Sequence, residues 1–283
     1  MTPPVIIIGM HRSGTTLVTQ LLNDLGLFVG HRYDPATYEA NYFIRLNDWV
    51  LLQSGGRWDN PGSISCLLQN DASQKMVQDY LRLQVKSPSA ATYLGYKRFF
   101  SEREIGSTAS PWGWKDPRNT FTLPLWLALF PDSKVIHIYR HGVDVAQSLI
   151  VRQERMFQHC LEGYRKKRSL YSFRPKRSAF PYSDRCASLE GAFSLWEEYL
   201  NEARKQLKVI GPSTRDVCYE DFLVKPVTIL KDLAEFCGLK SSDEEIERAV
   251  SIVNKDRSFA FQKREELISF AREMKSRLEL YGY

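Results

Sequence analysis

The chain has 283 residues, enough to bury a full core without disulfides or metals, and its composition, 43% hydrophobic and 25% charged, is that of an ordinary globular protein. It contains no internal repeat, no low-complexity tract and no apolar run long enough to span a bilayer, which excludes solenoid, fibrous and integral helical membrane classes. The net charge of +6 suits a polyanionic ligand, nucleic acid, an anionic membrane surface or an acidic substrate alike, so charge alone selects no partner.

The first predicted element is a strand over residues 5–8, where Val5, Ile6, Ile7 and Ile8 are all β-branched, as in a parallel strand covered on both faces. A strand beginning this early predicts no signal peptide in the chain as given, and five scattered cysteines (Cys66, Cys160, Cys186, Cys218, Cys237) form no close pair. The expectation is a cytoplasmic protein with free thiols, and neither a disulfide framework nor a metal site. After the strand, Gly9-Met10-His11-Arg12-Ser13-Gly14-Thr15-Thr16 forms a glycine-bracketed polar loop. Leu17, Val18, Leu21, Leu22 and Leu25 then recur at spacings of three and four, a helix closed by Gly26. Free amides at the start of a helix fed by such a turn make an anion site. Gly9 and Gly14 have the spacing of the nucleotide phosphate loop, yet Thr15-Thr16 stands where an ATPase or GTPase carries Lys then Ser or Thr. Arg12 supplies the missing charge, with a guanidinium suited to bidentate anion contacts.

Residues 30–58 read as loop followed by a short helix. Gly55-Gly56 and Asn60-Pro61-Gly62 break the chain, and helical spacing resumes over about 65–85. Trp112 to Arg118 reads as a short strand stopped by Pro117, with Lys115, Asp116 and Arg118 at its carboxyl end, where ligands bind in open parallel sheets. An apolar helix over 121–130 precedes a buried strand over 134–140 that ends in Arg140, and residues 142–152 form the next helix, carrying Ser148. Residues 152–187 turn basic and irregular, with Arg165-Lys166-Lys167-Arg168 and Arg174-Pro175-Lys176-Arg177 around Tyr164, Tyr171 and Phe173, and are expected to be a lid or insertion. A helix through Leu195 and Trp196, a strand over 216–221, a helix from Pro226 to Gly238, a capping box at Ser242 and Glu245, and a basic helix over 263–280 complete the chain. Alternating strands and helices predict an α/β, P-loop-like three-layer fold with a central parallel sheet flanked by helices, in a single domain over 1–283.

Two motifs carry a family resemblance. Gly9 to Leu17 resembles the 5′-phosphosulfate loop of the PAPS-dependent sulfotransferases, in the arginine-containing form of bacterial and protein-tyrosine members. Tyr139-Arg140-His141-Gly142-Val143-Asp144-Val145-Ala146-Gln147-Ser148 looks like the family's 3′-phosphate motif, an arginine followed eight residues later by serine. Lys115-Asp116-Pro117-Arg118 is similar to the family's lysine-bearing strand end, and Tyr219-Glu220-Asp221 resembles the strand end that contacts adenine. The resemblance covers nearly the whole chain. It implies transfer of a sulfuryl group from 3′-phosphoadenosine 5′-phosphosulfate (PAPS) to a hydroxyl acceptor of a small molecule, carbohydrate or lipid, leaving PAP. No stable nucleic-acid partner is implied. It further implies that Arg12, Ser13, Gly14, Thr15 and Thr16 bind the phosphosulfate, that Arg140 and Ser148 hold the 3′-phosphate, that Tyr219 meets adenine, and that Lys115 and Arg12 act in catalysis.

One departure concerns the base. The cytosolic members' catalytic histidine lies two residues after the lysine, where this chain has Pro117. The resemblance to acid-using relatives points instead to Glu39, with Asp48 and His11 behind it; His11, beside phosphate, would have its pKa raised and serve as a donor at most. The competing readings are a nucleotide or adenylylsulfate kinase, which lacks its loop lysine and magnesium aspartate here, and a non-catalytic nucleotide-binding or nucleic-acid-binding protein.

Overall fold

The computed structural model describes residues 2–175 and 183–283. In chain order the strands are β1 (Val5–Ile8), β2 (Tyr33–Asp34), β3 (Glu39–Ala40), β4 (Gly113–Lys115), β5 (Lys134–Tyr139) and β6 (Thr214–Cys218). The main helices are α1 (Thr15–Asp24), α2 (Asn41–Gln53), α3 (Ile64–Gln69), α4 (Asp71–Lys86), α5 (Ala91–Glu102), α6 (Asn119–Leu129) and α7 (Gly142–Lys167). They continue with α8 (Leu189–Ile210), α9 (Tyr219–Val224), α10 (Pro226–Cys237), α11 (Asp243–Val250), α12 (Glu265–Glu273) and α13 (Lys275–Glu279). The strands form one sheet in the order β2-β3-β4-β1-β5-β6, parallel at every junction except the β2–β3 edge. This is the α/β fold the alternation predicts.

The chain divides into two compact units, Met1–Arg140 with Tyr199–Ser258, and His141–Glu198 with Phe259–Tyr283. The first holds the sheet. Every side chain of β1 is buried, as four β-branched residues require. Because side chains alternate along a strand, Val5 and Ile7 share one face, where they join Ile136, Ile138, Val18, Leu22, Leu230 and Leu233 in a core beneath α1 and α10. On the opposite side aromatic rings fill the space under α2 and α6: Phe43 stacks flat on Trp114 at 3.9 Å, and Trp126 meets both edge-on at 5.3 Å. In the second unit, Gly142 lets α7 lie against Phe193 and Trp196, since a Cβ there would stand 2.7 Å from the Phe193 ring. His141 caps the same helix, its Nδ1 accepting from Val143 N at 3.3 Å, and its ring stacks on Phe261 at 4.4 Å.

The structure differs from the sequence reading in four places. The helix from Gly142 does not stop at residue 152 but runs to Lys167, with Arg165, Lys166 and Lys167 in its last turn, where cations complement the helix dipole. The part of the basic stretch that includes Lys176 and Arg177 lies outside the described residues. Tyr219 opens α9 rather than ending a strand, because β6 begins earlier, at Thr214. The basic tail is two short helices, α12 and α13, with Met274 between them. The two-residue strands β2 and β3 carry too little pattern to be read from sequence, and they hold Glu39.

Candidate functional site

The loop after β1 is shaped by three residues with positive φ: Gly9 (132°), Arg12 (72°) and Gly14 (93°). A Cβ on Gly14 would lie 2.1 Å from Cδ2 of Tyr219, so the glycine is required both by backbone conformation and by the ring packed over it. Gly14 caps α1 without any side-chain hydrogen bond, leaving the first-turn amides for another partner. Ser13 is fully buried, and its Oγ has no hydrogen-bond partner among the described residues. A buried hydroxyl left over beside uncapped helix amides fits an anion with several acceptor oxygens. Arg12 is exposed, whereas His11 is buried with its ring edge-on to Trp58 at 4.9 Å.

Next to this loop lies a buried charge cluster. Glu39 and Lys115 are opposite one another in the parallel β3–β4 pairing, and their side chains also meet, Lys115 Nζ donating to Glu39 Oε1 at 2.8 Å. The same Nζ reaches Thr16 Oγ1 at 3.4 Å, and that hydroxyl donates to Thr37 O at 3.3 Å. Lys115 is 1% exposed and Glu39 8%. Burial raises the Glu39 pKa above the usual carboxylate range, partly offset by Lys115; burial likewise lowers the Lys115 pKa, partly offset by Glu39.

Behind the pair, Asp116 Oδ1 accepts from Arg118 N at 3.0 Å and from Arg118 Nε at 2.8 Å. Arg118 also pairs with Asp48 and brings Nη2 to 3.8 Å from Glu39 Oε2. Asn47 locks this layer in place. Its amide nitrogen donates to Asp116 Oδ2 and Asn119 Oδ1, and its oxygen accepts from Thr122 Oγ1 and Trp126 Nε1, all at 2.8 Å. A fully buried amide with both donors and both acceptors satisfied fixes α2, the β4 end and α6 against one another.

At the end of β5, Arg140 donates from Nη2 to Arg257 O at 2.8 Å, and its guanidinium carbon lies 5.2 Å from the centroid of the Tyr219 ring. Burial raises the Tyr219 pKa, and Arg140 and Arg257 pull it down. Tyr219 thus touches both Gly14 of the loop and Arg140.

Family comparison matches residues 3–243 to the Sulfotransferase family. The chain belongs to the sulfotransferase family. Among solved structures it is similar to the sulfotransferase domain from the curacin biosynthetic pathway, at 17% identity and a TM-score of 0.52, covering 97% of this chain and 98% of that one. It is also similar to a sulfotransferase from Alicyclobacillus acidocaldarius (16% identity, TM-score 0.48, 99% and 96% covered). A third likeness is to the sulfotransferase domain of the Synechococcus PCC 7002 olefin synthase (17%, 0.48, 93% and 83%). No curated protein matches the sequence. The likeness to the curacin-pathway domain shows the fold; membership in the family supports sulfotransfer as the class of activity.

Of the residues singled out in this sulfotransferase, the first unit brings Thr16, Lys115 and Glu39 into one cluster and gathers Gly14, Tyr219 and Arg140 into another. Asp48, considered as a base, is engaged with Arg118. Ser148 lies half-buried on α7, in the second unit. Asn47, Asp116, Arg118 and Arg257 were not assigned from sequence. Their only signal was the run of charged residues at the end of β4, while Asn47 and Arg257 stand in stretches with no motif at all. Among the described residues, no group of three or more His, Cys, Asp or Glu side chains could hold a metal ion, and no helix is long and apolar enough to cross a membrane.

Proposed function

We propose that the chain transfers a sulfuryl group from PAPS to a hydroxyl of a small-molecule, carbohydrate or lipid acceptor, with Glu39 as general base. The observation that carries this reading is Lys115, one buried ammonium that touches both Thr16 at the start of α1 and the Glu39 carboxylate. Such a lysine stands between an anion-binding helix start and a proton acceptor, as in-line transfer requires.

The loop amides, Arg12, Ser13, Gly14, Thr15 and Thr16 would hold the phosphosulfate, and the buried Ser13 hydroxyl supports that fit. Arg140 would hold the 3′-phosphate, and the Tyr219 ring would face the adenine. The acceptor oxygen forms a bond to sulfur as the bond from sulfur to the bridging phosphate oxygen breaks; the acceptor's proton goes to Glu39, and Lys115 with Arg12 neutralises the charge left on the phosphate.

The reading is tested by calorimetry with PAP, adenosine 5′-monophosphate and magnesium ATP, followed by transfer from radiolabelled PAPS in the presence of EDTA. PAP is expected to bind tightest, and transfer to survive the chelator. Arg140→Ala should weaken PAP by about 10- to 150-fold, since a charge-assisted hydrogen bond is worth about 1.5–3 kcal/mol, and leave the monophosphate nearly unchanged. Equal losses for both nucleotides would remove Arg140 from the 3′-phosphate site, and preference for magnesium ATP would favour a kinase.

A further inference from the structure

The role of Arg118 is open once Lys115 is assigned to the phosphosulfate side. Its side chain is 8% exposed, so it is not a solvated surface charge. It is gripped from two sides: Asp116 holds Nε and the backbone amide through one oxygen, and Asp48 holds Nη1 from α2. Burial alone would lower its pKa, but Asp116 and Asp48 outweigh that and raise it, so it stays charged at any working pH. The remaining nitrogen, Nη2, stands 3.8 Å from Glu39 Oε2, while Lys115 takes Oε1. The two carboxylate oxygens of Glu39 therefore face two different cations on two different supports.

We propose that Arg118 is a positioning residue for Glu39, holding one carboxylate oxygen so that the other is presented to Lys115 and the acceptor, and setting the pH at which Glu39 takes a proton. The proposal rests on the reading of Glu39 as the base. Its physical content is a division of labour. Lys115 is shared with Thr16 and the donor side, so its hold on Glu39 is divided. Arg118 is fixed by Asp116, which is itself fixed by the saturated Asn47 amide, so its hold does not change.

Among the described residues, the charged groups around Glu39 are few. Lys115 and Asp116 come from the β4 end, Arg118 from the turn after it, and Asp48 from α2 beyond Arg118. Asp34, opposite Glu39 on β2, directs its carboxylate to Ala36 N at 2.8 Å. Asp48 has a side chain 57% exposed, so it can be neutralised with little disturbance to packing. It pairs with Arg118, and the two substitutions remove opposite charges and so have opposite signs. Removing the charge of Arg118 must raise the Glu39 midpoint; removing the charge of Asp48 must lower it, because Arg118 is then less compensated.

The test is a titration of the Glu39 carboxyl by carbon-13 NMR of the glutamate-labelled full chain, with the signal assigned by its loss in Glu39→Gln. Arg118→Met is expected to raise the midpoint by about 1 to 3 pH units, the range for losing an opposite charge at this distance, and Arg118→Lys to restore most of it. Asp48→Asn is expected to lower it by less. The proposal is overturned if the midpoint does not move in Arg118→Met, or if Asp48→Asn leaves it unmoved or raises it. Should Arg118→Met not fold, because Asp116 loses its buried partner, Arg118→Gln keeps a donor for Asp116 without the charge, and an unmoved Glu39 midpoint in that variant overturns the proposal. None of these readings needs turnover, so a fully active Glu39→Gln enzyme would remove Glu39 as base without altering the titration.

Discussion

Glu39→Gln is expected to lower turnover by about 100- to 10,000-fold, the usual loss when a general base is removed, while PAP affinity stays nearly intact. Glutamine keeps the size of the side chain and can still accept from Lys115 Nζ, which now stands at 2.8 Å, so the loss is chemical rather than structural. The pH profile sharpens the expectation. Burial holds the Glu39 pKa above the usual carboxylate range, and the base works in its ionised form. The parent's kcat/KM should therefore fall as pH drops through a midpoint above that of an ordinary glutamate, and be fully present above it. The Gln variant should lack that limb. A phenolic acceptor, which ionises more readily than a sugar hydroxyl, should show a smaller defect. A Gln variant as active as the parent, alongside an inactive Asp48→Asn, would move the base to Asp48.

Gly14→Ala is expected to cost about 3 kcal/mol or more of stability and to abolish measurable PAP binding. Two penalties add. An alanine at φ 93° is strained on its own, and its methyl would lie 2.1 Å from Cδ2 and 2.4 Å from Cε2 of Tyr219. A double-mutant cycle separates them: Tyr219→Ala removes the ring, so Gly14→Ala should cost less in that background, by the steric part alone. Chemical denaturation of the four proteins measures this, and identical costs in both backgrounds would mean the ring is not seated on the loop.

The resemblance to the sulfotransferases, and with it the glycine-bracketed turn between β1 and α1, was legible in sequence because β1 and the loop are contiguous. Four β-branched residues, two glycines and a helical repeat are local signals, and local chemistry dictates local conformation there. Lys115 and Arg140 were legible for a related reason, since each sits where a buried strand meets a polar run. The support of Glu39 was not. Its neighbours Lys115 and Arg118 are more than seventy residues away, and β3, two residues long, leaves no alternation to read. Asn47 is harder still. An asparagine in an amphipathic helix reads as a solvent-facing residue, and only the tertiary fold reveals that all four of its polar positions are used inside the protein.

The β3–β4 pairing has a wider implication. Glu39 and Lys115 are register partners in the backbone ladder and also the two halves of the charged pair. Since successive side chains point to opposite faces, a slip of one position along this edge would set Ala40 across from Lys115 and turn the carboxylate to the other side of the sheet. Strands this short have little to hold them, and here the ion pair supplies a stake in alignment that main-chain hydrogen bonds do not. The register that joins β3 to β4 is thus also the register that brings the Glu39 carboxylate to Lys115, so alignment of the strand and assembly of the proposed base depend on the same pairing.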